Sequence, residues 1–151
     1  MSEKIEKQIE KYKLPSLNEL YDEFGKFSIE KEDEFITILL ENLSDKVSDY
    51  IDFLENIIQP DSNLVSLQEG SVFDKDEREE MFVIVKTLIY YERLSLKIEL
   101  HPNEEKRVNY FKEYYAHWKE TKTKLVPFIE KALAVWKRTD HNEMKFEGYF
   151  G

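Results

Sequence analysis

The stretch Met81-Phe-Val-Ile-Val-Lys-Thr-Leu-Ile-Tyr-Tyr-Glu-Arg-Leu-Ser-Leu96 decides how this chain folds. It is apolar almost all the way round a helical projection, which predicts the central helix of a bundle, contacted by other helices on most sides. Its one misfit is Glu92, set among Val85, Leu88, Ile89 and Leu96. A carboxylate on such a face must find a partner, hold its proton or border a cavity, because an unpaired buried charge is costly.

Composition points the same way. The 151 residues suit one domain with a sizeable core. A charged content of 36% is high, but 41% hydrophobic and 14% aromatic residues exclude a disordered acidic chain. Four glycines and four prolines leave little material for tight turns, which argues for helices over a sandwich or barrel. The expected fold class is all-α, a helical bundle of three long amphipathic helices plus short N-terminal helices, with a long loop at 59–73. Residues 1–138 read as a single helical-bundle domain and 139–151 as a C-terminal tail.

Periodicity and capping signals set the elements. Ile5, Ile9 and Tyr12 predict a marginal helix over Ser2 to Tyr12, interrupted at Leu14-Pro15. Ser16-Leu-Asn-Glu19 has capping-box spacing, and Gly25 supplies a stop for a two-turn helix. The first long helix is expected from about Ile29 to Ile58, with Ser28 as its cap and Pro60 as its end. The connection from Gln59 to Phe73 holds Leu64, Val65, Leu67, Val72 and Phe73, so a docked segment is expected there rather than a mobile lid. Asp74-Lys-Asp-Glu77 suits the start of the central helix, and Pro102 ends it by Leu100. Asn103 then caps a last helix from Glu104 to about Arg138. Its apolar stripe, from Val108 through Trp118 to Leu133 and Trp136, continues past Pro127, which predicts a kink rather than a break.

Charge is unevenly spread. The net charge is −10, yet residues 104–138 carry nine basic and five acidic groups. That basic helix either packs beside acidic neighbours or presents a partner surface. With no cysteine, disulfides, thiolate metal sites and cysteine nucleophiles are excluded. The charged start Met1-Ser-Glu-Lys-Ile-Glu-Lys does not fit a secretory signal, no apolar run reaches membrane length, and a cytoplasmic location is expected.

Several residue groups could carry chemistry. Lys122 intrudes on the apolar stripe of the last helix and is a natural partner for Glu92. Glu113, His117 and Glu120 stand at i, i+4 and i+7, but they project outside the stripe and read more simply as a solvated face. The ladder Glu41, Asp45, Asp49, Asp52 has the same plain reading. Phe111-Lys-Glu-Tyr-Tyr-Ala-His-Trp-Lys119 mixes bases and aromatics as nucleic-acid binders do, although its aromatics belong to the stripe. No phosphate-binding loop, dinucleotide fingerprint, nucleophile elbow or metalloprotease motif occurs, and no family is recognised.

The leading functional expectation is therefore a noncatalytic protein-protein interaction protein or subunit of a larger assembly, with no cofactor and no metal. Another protein or a second copy is its expected partner, and neither nucleic acid nor a membrane. An alternative is a small-molecule binder or enzyme with an interhelical pocket around Glu92, involving Lys122 and the tyrosines. A second alternative is a nucleic-acid-associated protein using the basic last helix. The expected binding residues are Glu92, Lys122 and the tail aromatics Phe146, Tyr149 and Phe150.

Overall fold

A computed structural model describes residues 2–137. Among them are six α-helices, one 3-10 turn and no strand, an all-α helical bundle. The helices are α1 (Glu3–Tyr12), α2 (Leu17–Phe24), α3 (Phe35–Ile58), α4 (Leu64–Gly70), α5 (Lys75–Leu100) and α6 (Glu104–Lys137). No helix among the described residues is long and apolar enough to cross a membrane.

Local chemistry sets most of the ends. The Ser2 hydroxyl accepts from the Lys4 N–H and the Ser16 hydroxyl from the Glu19 N–H, each at 3.1 Å. Asp74 and Glu77 cap α5 reciprocally, at 2.8 and 3.0 Å. Asn103 accepts from the Lys106 N–H at 3.1 Å. Gly25 ends α2 with φ at +77°, a left-handed angle that glycine adopts without strain. Lys13 ends α1 at φ +55°, where a side chain is disfavoured, and its N–H closes the last turn onto Glu10.

Two expected boundaries move. α3 starts at Phe35 rather than near Ile29, after a 3-10 turn at Glu32–Glu34, and Ser28 does not cap it. The Phe27 ring packs edge-on against Tyr21 at 4.9 Å, and Gln8 donates to the Glu32 carbonyl at 3.0 Å, so the approach to α3 is held in an irregular path. The 59–73 connection contains α4, capped by Asn63, whose side chain accepts from the Ser66 N–H at 2.9 Å. Arg78 then joins three pieces of chain: it donates to the carbonyls of Ile57 at 2.9 Å, Phe73 at 3.2 Å, and Gly70. A guanidinium here satisfies carbonyls that the ends of α3 and α4 leave unpaired.

The chain divides into two compact units, one of residues 2–48 and 90–118, the other of residues 49–89 and 119–137. In the first, Leu20, Phe35, Leu39, Leu43, Phe111, Tyr114 and Trp118 form a sealed core. Glu23 is buried there as well. It accepts from Trp118 Nε1 at 2.7 Å and pairs with the Lys46 ammonium at 3.3 Å, so its charge is compensated where it is desolvated. In the second, Leu54, Ile57, Met81, Leu88, Leu125, Phe128 and Ala132 are buried, Phe73 meets Phe128 edge-on, and Lys131 pairs with Glu77 at 2.7 Å.

The expectation that the 81–96 stretch is enclosed on most sides is corrected. α5 buries Met81, Ile84, Val85, Leu88 and Tyr91, but Phe82, Val83, Tyr90, Leu96 and Leu100 are 56 to 74% exposed. In the first unit the physical reason is the size of the α6 side chains. Its rings, Tyr110, Phe111, Tyr114, Tyr115 and Trp118, fill the core of the first unit, and α5 needs to offer only one side. α6 itself runs unbroken through Pro127. At its end Leu133 and Trp136 are exposed although the stripe includes them, while Val135 is buried.

Candidate functional site

Glu92 borders a cleft of the first unit, of about 300 Å³, lined by Thr37, Leu40, Glu41 and Ser44 of α3, Glu92, Ser95 and Glu99 of α5, and Arg107 and Tyr110 of α6. Its position follows from the helical repeat. Glu92, Ser95 and Glu99 recur at i, i+3, i+7, one flank of α5, and Thr37, Leu40, Glu41 and Ser44 do the same on α3.

The half-buried Glu92 carboxylate is held by hydroxyls from two other helices. Ser44 donates to one oxygen at 2.6 Å and Tyr114 to the other at 3.1 Å. Tyr114 is 1% exposed, and its hydroxyl, like any buried one, needs an acceptor. Burial raises its ionisation well above the ordinary phenol value, and the Glu92 charge raises it further, so the group stays a donor. Tyr110 behaves alike for the same two reasons, and its hydroxyl donates to the Tyr91 carbonyl at 2.8 Å. The Tyr91 ring stacks on Tyr114, centroids 4.8 Å apart and planes within 9°. Behind Glu92 therefore stands a rigid wall of phenols.

The opposite rim is an ion pair. Arg107 Nε donates to Glu99 at 3.1 Å and its Nη2 to Thr37 Oγ1 at 2.6 Å, which ties α6 to both α5 and α3 within this unit. Glu41 is exposed at the edge of the cleft. The lining thus sets three carboxylates against one guanidinium, and that guanidinium is already engaged.

Of the residues singled out in the sequence, Glu92 and, from the acidic ladder, Glu41 line this site. Lys122 lies half-buried on α6 in the second unit, and the oxygens of Glu92 accept from hydroxyls. Phe146, Tyr149 and Phe150 lie outside the described residues. Glu113 accepts from the Tyr91 hydroxyl at 3.2 Å, and the His117 ring sits 5.4 Å from that of Tyr91. Among the described residues no group of three histidines or carboxylates could hold a metal ion. Three bases of α6 have intramolecular work: Arg107 as above, Lys112 on the Tyr12 carbonyl at 2.9 Å, and Lys131 on Glu77. Tyr114 is one of the tyrosines expected around Glu92, whereas nothing local in the sequence marks Ser44 or Arg107 as site residues. The available signal was the excess of tyrosines in a core stripe, since each buried hydroxyl requires a polar partner.

No protein-family model, curated protein or solved structure matches the chain.

Proposed function

We propose that the chain is a noncatalytic interaction subunit that docks another protein through the outward side of α5. The observation that supports this reading is the exposure of large apolar side chains on a helix that buries Met81, Ile84, Val85, Leu88 and Tyr91 on its other side. In the first unit these are Tyr90, Leu96 and Leu100, at 59, 62 and 74% exposure, interleaved with the exposed cations Arg93 and Lys97. The second unit has Phe82 and Val83, at 56 and 62%. Single exposed apolar residues are ordinary, but Tyr90, Leu96 and Leu100 recur within about three turns of α5 in the first unit, which favours a surface that a partner covers. The cations among them favour a partner with carboxylates around an apolar centre.

The test is a paired substitution, Leu96→Asp with Leu100→Asp, in the tagged full chain. Sedimentation of the purified protein reports self-association, and recovery from the source cell reports a different partner. Either complex should be lost in the variant while its melting temperature stays close to that of the parent, since both side chains are already in water. A strictly monomeric parent recovered alone, or a complex indifferent to both aspartates, contradicts the reading.

A further inference from the structure

We propose that one flank of the end of α6 is the docking site of the chain's own residues 143–150. The flank consists of Val126, Ile129, Leu133 and Trp136, at i, i+3, i+7 and i+10, all in the second unit. Val126, Leu133 and Trp136 are 49, 61 and 42% exposed, and Ile129 is half-buried. Trp136 is held in place, because its Nε1 donates to Glu69 of α4 at 2.9 Å. An apolar row that follows one side of a helix for roughly three turns favours a cover.

The sequence that follows supplies the occupant. After Lys137 comes Arg138-Thr-Asp-His-Asn142, without an apolar side chain, and then Glu143-Met-Lys-Phe-Glu-Gly-Tyr-Phe150. Asp140 and Asn142 are turn-forming types at the point where a chain running back along α6 has to reverse. Met144 and Phe146 alternate with Lys145 and Glu147, the pattern of an extended segment with one apolar side. The lengths agree. Val126 to Trp136 is roughly 15 Å along a helix, and Met144 to Phe150 is roughly 20 Å when extended. Side chains on one side of an extended segment recur about every 6.6 Å, and those of the flank about every 4.5 to 6 Å. Met144, Phe146 and an aromatic of the 149–150 pair therefore each find a flank residue. A short connection, 138–142, sets an effective concentration of the order of millimolar, so this segment outcompetes that of a second copy at ordinary protein concentrations. The site uses no α5 side chain, and it stands or falls separately from the docking reading.

The chain has no cysteine, so an introduced pair reports proximity directly. In the full chain, Val126→Cys with Tyr149→Cys puts one thiol on the flank. Lys124→Cys with Tyr149→Cys is the control, since Lys124 is exposed at nearly the same height but about 160° round the helix. Equilibration in a glutathione redox buffer gives an effective concentration for each disulfide. The flank pair should exceed the control by about tenfold or more, as a bridge within one chain, and adding Leu133→Ser should reduce that excess several-fold. Circular dichroism checks that each variant is folded, as expected where the replaced α6 side chains are already exposed. Equal bridging by the two pairs, a bridge that joins two chains, or an excess indifferent to Leu133→Ser overturns the proposal.

Discussion

Replacing Arg78 by methionine keeps much of the side chain's length and apolar stem but removes the donors that hold three carbonyls from separate pieces of chain. In the native protein those bonds reach Ile57 near the end of α3, Gly70 at the end of α4, and Phe73 just before α5. A hydrogen bond to a charged group contributes roughly 1.5 to 3 kcal/mol, and three such bonds from one group are not additive. Because Arg78 is half-buried, water can replace part of what is lost, which brings the expected cost to about 3 kcal/mol. For a chain of this length that corresponds to a fall in melting temperature of roughly 6 to 12 °C. Circular dichroism at a helical wavelength during heating measures it. Arg78→Lys should recover only part of the loss, since an ammonium keeps the charge but not the planar fork that reaches three acceptors. A methionine variant that melts within a degree or two of the parent would show that α4 is held by its apolar contacts alone, and the reasoning about Arg78 would be wrong.

Two further expectations concern backbone and protons. Lys13→Gly should stabilise by about 0.5 to 1 kcal/mol, because the exposed lysine at φ +55° occupies a left-handed turn that glycine adopts freely, and a lower denaturation midpoint would contradict this. Burial raises the ionisation of Tyr91, Tyr110, Tyr114 and Tyr115 in the folded chain. Below the ordinary phenol value of about 10 these groups are protonated whether the chain is folded or not, and their contribution is complete. Above it the unfolded chain releases protons that the folded chain keeps, so stability should fall as pH rises further. Tyrosinate absorbance followed alongside helicity checks this: the late-ionising phenols should titrate together with loss of helix, and their ionisation with helicity intact would contradict it.

The sequence was most informative where one local pattern had one outcome. Ser16, Asp74 and Asn103 are each followed at helix-start spacing by the groups they cap, and each caps its helix. Glu92 was legible too, because a carboxylate among apolar neighbours always needs an explanation. Its partners were not, since Ser44 and Tyr114 lie 48 and 22 residues away and meet it only through the packing of α3 and α6 against α5. A like reason governs the outward side of α5. An all-round apolar helix can be enclosed by neighbours or left with a bare side, and periodicity within the helix does not distinguish the two. The late start of α3 is not legible because Ser28 has the chemistry of a cap, while the contacts that hold the 27–34 path, Phe27 on Tyr21 and Gln8 on the Glu32 carbonyl, are tertiary.

The one-sided burial of α5 underlies both the docking surface and the register that brings Glu92 to its cleft. Met81 and Phe82 are adjacent in sequence, yet the first is wholly enclosed and the second is 56% exposed. Hydroxyl-radical footprinting of the isolated chain, read by mass spectrometry, compares them directly. Phe82 should be labelled and Met81, despite the greater intrinsic reactivity of its sulfur, should be protected until the protein unfolds. Rapid oxidation of Met81 in the folded chain with Phe82 untouched would place the opposite side of the helix in water and contradict the fold as described.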